Sequence, residues 1–99
     1  HSFRVDGFLP VKKGKRRKSL EDAIESDATA MFFESPHRII STMEILAEVN
    51  PNVKVCVARE LSKKFETYHR DTAENLLSQF QNKKPKGEIV ILIDGASVR

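Results

Sequence analysis

The feature that most constrains this chain is the run Ile89-Val90-Ile91-Leu92-Ile93, five aliphatic residues with no polar break. A strand apolar on both faces belongs inside a sheet, with neighbours on either side and cover above and below. Two further runs have this character, Ala28-Thr29-Ala30-Met31-Phe32-Phe33 and Val53-Lys54-Val55-Cys56-Val57-Ala58. The segments between them carry helical period instead. Ile39, Met43 and Leu46 recur on one helical face with Ile40 and Ala47 beside them; Ser35 suits the N-cap, Pro36 suits the first helical position, and Asn50-Pro51-Asn52 ends the helix. Asp71-Thr72-Ala73-Glu74 offers a capping box to a helix whose face is Leu76, Leu77 and Phe80. Phe3 to Leu9 alternates like a strand that Pro10 ends, and Phe65 to His69 fits a short strand. Ser19 reads as the N-cap of a helix beginning Leu20-Glu21-Asp22. The order β-loop-α-β-α-β-(β)-α-β predicts an α/β fold: a three-layer-like mixed sheet of about five strands with helices packed on it.

Ninety-nine residues suffice for a single domain with one modest core. With 39% hydrophobic and 31% charged residues the chain resembles a globular cytoplasmic domain, not a disordered one. No apolar run approaches the roughly 20 residues that span a bilayer, and the N-terminus has no signal-peptide core. There is no initiating Met, so the chain is expected to start inside a longer protein or after a cleaved tag, of which His1 would be a remnant. The one cysteine, Cys56, sits in an apolar run and reads as a small inert hydrophobe. With three scattered histidines it offers too few ligands for zinc, and no metal is expected.

The net charge of +3 is unevenly spread. Lys12, Lys13, Lys15, Arg16, Arg17 and Lys18 are six of the seventeen basic residues; without them eleven face fourteen acidic ones, a balance of −3. A mildly acidic body with one concentrated basic loop favours a polyanion, RNA above all, contacting a defined spot. The plain alternative is a solvated loop or a localisation signal. No aromatic residue interleaves the cations, so base stacking is not expected there.

Ligands of open α/β sheets bind beyond the carboxyl ends of strands. If the first three strands run parallel, Leu9-Pro10, Glu34-Ser35-Pro36-His37-Arg38 and Arg59-Glu60-Leu61-Ser62-Lys63-Lys64 meet at one edge. His37 and Arg38 fall in a first helical turn, where the dipole disfavours cations. That points either to an anionic ligand or to a pairing of Arg38 with Glu34 or Glu60. His37 and His69 are candidate general bases, because an unperturbed histidine titrates near neutral pH, with no neighbour pattern that singles either out.

These blocks, in this order, resemble one family. Gly7-Phe8-Leu9-Pro10 followed by Lys and Arg, Phe33-Glu34-Ser35-Pro36-His37-Arg38, Ala58-Arg59-Glu60-Leu61-Ser62-Lys63-Lys64-Phe65-Glu66 and Lys86-Gly87-Glu88-Ile89-Val90 are similar to the C-terminal domain of the small-subunit (16S) ribosomal RNA (cytidine-2′-O-)methyltransferases, within the tetrapyrrole methylase superfamily. The resemblance covers nearly the whole chain and only the C-terminal half of the family, whose N-terminal domain is absent here. It implies a homodimeric enzyme that transfers a methyl group from S-adenosylmethionine, bound between two α/β domains, to the ribose 2′-hydroxyl of a cytidine. It further implies cofactor contacts at Phe33, Glu34, Ala58, Arg59, Lys86, Gly87 and Glu88. Glu60 or His37 would aid deprotonation. RNA contacts would come from Arg38, Lys63 and the six cations between Lys12 and Lys18, with Arg59 or Lys63 steadying the RNA backbone. The chain departs from the family pattern at Asp71-Thr72, usually Gly-Thr, and at Leu61-Ser62-Lys63, often Leu-Thr-Lys. The competing expectations are an RNA-binding module without catalysis and a tetrapyrrole-type methylase acting on a small molecule. The isolated chain is expected to turn nothing over.

Overall fold

A computed structural model describes the backbone of residues 3–61 and 64–99 and the side chains of residues 3–60 and 67–99. Its elements follow in the order β1 (Phe3–Phe8), α1 (Lys13–Glu25), β2 (Thr29–Glu34), α2 (Ile39–Val49), β3 (Lys54–Leu61), β4 (Lys64–Thr72), α3 (Ala73–Asn82) and β5 (Glu88–Asp94), then a short 3₁₀ turn, Gly95–Val98. The five strands form one mixed sheet in the order β1-β2-β5-β3-β4. The apolar run that opened the argument is its central strand, β5, hydrogen-bonded antiparallel to β2 on one side and β3 on the other. Because β1 is parallel to β2, the strands β1, β2 and β3 share one direction while β4 and β5 oppose it. The carboxyl ends of the first three strands and the start of β5 therefore meet at one edge, as the strand-end reasoning requires.

The helices form a single layer. The crossovers β1-α1-β2 and β2-α2-β3 progress the same way across the sheet, and β4-α3-β5 reverses both progress and strand direction. Right-handed connections then put all three helices on one face, where α1 packs on α2 and α2 on α3. Leu20, Ile39, Met43, Leu46, Leu76 and Phe80 from the helices meet Val55, Val57, Ile89, Ile91 and Ile93 from the sheet in one buried core. The opposite face is bare, and Phe3, Val5, Phe8, Phe33 and Tyr68 stand exposed on it.

Three local expectations are corrected. The basic stretch is not a loop: helix α1 begins at Lys13, and Ser19 lies in its interior rather than at its cap. Lys and Arg are good helix formers. The pairs Arg17–Glu21 and Lys18–Asp22 at i,i+4 offset part of the repulsion among the cations. Helix α2 starts one turn later than expected, at Ile39. Ser35 instead closes a turn in which its hydroxyl accepts the His37 N–H and its carbonyl the Arg38 N–H. The short strand expected over residues 65–69 is longer and pairs with β3 along its length. Helix α3 is capped by Thr72, whose hydroxyl accepts the Asn75 N–H at 3.2 Å.

The β1 strand also carries a bulge. Val5 pairs with Met31 and Gly7 with Phe32, so Asp6 is the extra residue, and Gly7 takes φ +74°. The slip reverses the alternation. Phe8 joins the bare face beside Phe33, with ring centroids 5.5 Å apart, and Leu9 turns into the core at 2% exposure.

Candidate functional site

At the edge where β1, β2, β3 and the start of β5 meet lies a cavity of about 390 Å³, lined by Phe8, Phe33, Glu34, Ser35, Pro36, Gly87, Glu88 and Ile89. Its volume falls within the roughly 300–1,000 Å³ of small-ligand sites, and its floor is aromatic and aliphatic. A larger hollow of about 580 Å³ lies on the bare face at the other end of the strands, lined by Cys56, Arg70 and Leu92 among others. It holds none of the strand-end residues.

Gly87 shapes the cavity's rim. Its φ is +85°, and a Cβ there would stand 2.4 Å from the Glu60 carbonyl oxygen, so no other residue lets β5 start this close to the end of β3. That approach sets Glu60 directly across from Glu88. A hydrogen bond between the two carboxyls, with lesser help from burial and from the Glu88 charge, holds the Glu60 carboxyl above the usual range. Beside a second carboxyl, Glu60 binds a proton more readily than a free glutamate does.

Glu34 is used differently. Its side chain is fully buried. Its carboxylate accepts the Ser35 N–H at 2.7 Å, the Thr42 hydroxyl at 2.7 Å and the Arg38 Nε–H at 3.2 Å. The cation at the N-cap of α2, Arg38, thus has an internal partner, Glu34, and only the main chain of Glu34 is left to face the cavity. His37 is exposed on the turn, outside the cavity lining.

Of the seven positions assigned to the cofactor, Phe33, Glu34, Gly87 and Glu88 line this cavity together. Ala58 is buried on the bare face between Val90 and Tyr68, and Lys86 is exposed just before Gly87. The Arg59 side chain lies on the helix face of β3, where its guanidinium donates to the Thr67 hydroxyl. Phe8, Pro36 and Ile89 belong to the cavity without having been assigned a role.

The cations of α1 divide. Arg16 is buried at 3% exposure, donating to the carbonyls of Pro10 and Val11 and to the Ser41 hydroxyl. It fastens the end of β1 to α1 and α2 and is withdrawn from the surface. Arg17 bridges Glu48 and Glu21, and Lys18 pairs with Asp22. Lys12, Lys13 and Lys15 are exposed, with no carboxylate in ion-pair range among the described residues. They stand at the positive end of the α1 dipole, which opens toward the cavity edge. Ser62 and Lys63, the latter expected to touch RNA, lie outside the described residues. His69 accepts from or donates to Gln79 and meets Phe80 edge-on; burial, then the Arg59 charge, lowers its pKa. Cys56 is half-buried, and burial raises its thiol pKa against an opposing pull from Arg70, which disfavours a reactive thiolate. Among the described residues no cluster of three or more His, Cys, Asp or Glu gathers to hold a metal, and no helix is long and apolar enough to cross a membrane.

No family model matches the chain. It is 38% identical over 91 residues to a protein of Erythrobacter litoralis named ribosomal RNA small subunit methyltransferase I, which spans 92% of this chain and 32% of that protein. Proteins of the same name from Halalkalibacterium halodurans and Thermotoga maritima are 36% and 37% identical, over 95% and 94% of this chain and 32% and 41% of their own length. The chain thus spans about a third of the length of these relatives. Among solved structures, the methyltransferase CobJ superposes with a TM-score of 0.60 at 19% identity, over 94% of this chain and 41% of CobJ, a likeness of fold.

Proposed function

On the premise that this chain belongs to the family of proteins named ribosomal RNA small subunit methyltransferase I, we propose that it forms the C-terminal lobe of an enzyme that methylates the ribose 2′-hydroxyl of a cytidine in small-subunit ribosomal RNA. The chain supplies one side of the cofactor cleft and part of the RNA contact. The observation that carries this reading is the single cavity shared by Phe33, Glu34, Gly87 and Glu88, beside the unpaired Lys12, Lys13 and Lys15.

The cavity fits S-adenosylmethionine in two respects. Phe8, Phe33, Pro36 and Ile89 offer the apolar surface an adenosine moiety needs, and the Glu60–Glu88 pair puts negative charge at the rim, where a sulfonium is favoured. When bound, the cofactor supplies an already activated methyl group. The residues of this chain then have to place the hydroxyl and remove its proton. Glu60, whose affinity for a proton is raised beside Glu88, is the candidate to accept it as a carboxylate, and His37 on the neighbouring turn is the second candidate. Lys12, Lys13 and Lys15 draw the phosphate backbone to the edge. Cytoplasmic residence and homodimerisation belong to the same reading.

The test is transfer of a labelled methyl group to a small-subunit ribosomal RNA fragment, with this chain carried in an enzyme of the family's full length. Label is expected on RNA and not on the same RNA with 2′-deoxycytidine at the acceptor position. Retention of label on the deoxy substrate removes the 2′-hydroxyl assignment, and absence of label from every RNA removes the enzyme reading. The 99 residues alone are expected to show no turnover.

A further inference from the structure

On the helix side of the same edge lies a second, smaller cavity of about 190 Å³, between β3, β4 and the chain leaving α3. Arg59, Thr67, His69, Gln79, Lys83 and Lys84 line it. At roughly 30 Å³ per water it holds about six waters. That is too little for a nucleoside and enough for a hydrated tetrahedral oxyanion.

Its chemistry is one-sided. Arg59, Lys83 and Lys84 converge on it, and among the described residues none of them has a carboxylate in ion-pair range. The guanidinium has five N–H donors. One reaches the Thr67 hydroxyl at 3.2 Å, while Nε is shielded from solvent and has no partner. Nε is closed to the cavity as it is to solvent, so a ligand there meets the guanidinium at its terminal nitrogens. His69, on the wall, has its pKa lowered first by burial and second by Arg59, a sign of positive potential inside the cavity. Pro85, buried beneath Lys84, fixes the loop that carries both lysines.

We propose that this cavity is a phosphate subsite that takes one phosphodiester of the RNA substrate, with Arg59 as the inner donor and Lys83 and Lys84 as its rim. The proposal rests on the RNA reading above. The loop of Lys83 and Lys84 runs directly into Lys86-Gly87-Glu88, so a strand anchored here is led over the edge toward the cofactor cavity. Arg59, assigned to the cofactor by resemblance, serves RNA in this arrangement.

Two measurements test it. The first is the salt dependence of binding to a short single-stranded ribosomal RNA fragment, by fluorescence anisotropy. Lys83→Gln with Lys84→Gln is expected to weaken binding about threefold to tenfold near 0.1 M salt, and to reduce the slope of log K against log salt by about 0.7 for the lost phosphate contact. The second is a titration with inorganic phosphate, read at the His69 ring by NMR. A saturable shift is expected in the wild type, retained by Arg59→Lys and lost in Arg59→Gln, with thermal melts showing that the variants fold. RNA binding with unchanged slope in the double variant, together with a His69 signal that ignores phosphate, overturns the subsite and leaves the RNA reading intact. In that outcome the lysines serve only the negative end of α3. A phosphate-dependent His69 shift in a chain that binds no RNA keeps the anion site and removes the RNA reading.

Discussion

Two glutamates end adjacent parts of the same sheet edge and live by opposite rules. Glu34, at the end of β2, is fully buried and accepts three donors from Ser35, Arg38 and Thr42. Glu60, near the end of β3, has a second carboxyl as its partner and sits where solvent and ligands reach. A carboxylate whose lone pairs are all matched holds a turn in place and has nothing left for a substrate. A carboxylate matched only by another acid takes up a proton more readily and stays open to one at the edge. Two residues of one type at one edge thus separate into scaffold and reagent, according to which donors the backbone brings to them.

The contrast can be broken at either end. The largest effect is expected from Glu60→Gln in an enzyme of full length. Loss of a general base typically removes about 10²–10⁴ of rate, and the fall should appear in kcat with little change in RNA affinity. Turnover within threefold of wild type removes Glu60 as the base and leaves His37. Next is Glu34→Ala, which strands the Arg38 guanidinium, the Thr42 hydroxyl and the Ser35 N–H. A loss of about 2–4 kcal/mol is expected in urea unfolding. A loss below about 1 kcal/mol makes Glu34 a spectator. The smallest effect is on the pH dependence of stability. The folded state holds the Glu60 proton more tightly than the unfolded chain does. The resulting stability is complete below the ordinary glutamate value and disappears as pH rises through the raised one. Relative to Glu88→Gln, which removes the partner, the wild-type Tm should decline over the interval just above about pH 4.3. Parallel curves for the two proteins mean that Glu88 does not raise the Glu60 carboxyl.

Much of this was legible in residue order. The unbroken Ile89 to Ile93 run identified the central strand, and three strand-end blocks converged because β1, β2 and β3 do run one way. What escaped needed contacts between segments distant in sequence. Six cations and Gly14 read as a loop because nothing local shows that Arg16 reaches Pro10, Val11 and Ser41, although the spacing of Arg17 with Glu21 and of Lys18 with Asp22 was a visible helical signal. The Glu60–Glu88 pair depends on β5 inserting antiparallel between β2 and β3, a register that neither segment specifies alone. The pairing of Arg38 with Glu34 was one of two choices left open, and the turn at Ser35 decides it.

The bulge at Gly7 has a consequence for how relatives are compared. With Asp6 as the extra residue, the direction of the Phe8 ring is a matter of parity, set by the bulge in β1 and not by the character of its residues. A homologue of the same length that closed the bulge would keep a plausible strand composition and send the equivalent ring among the helices, emptying one wall of the cavity, whereas one lacking only the extra residue would keep the ring in place. Alignment gaps placed freely in so short a segment would hide that difference; a gap set opposite Asp6 is the one that leaves the ring on the bare face.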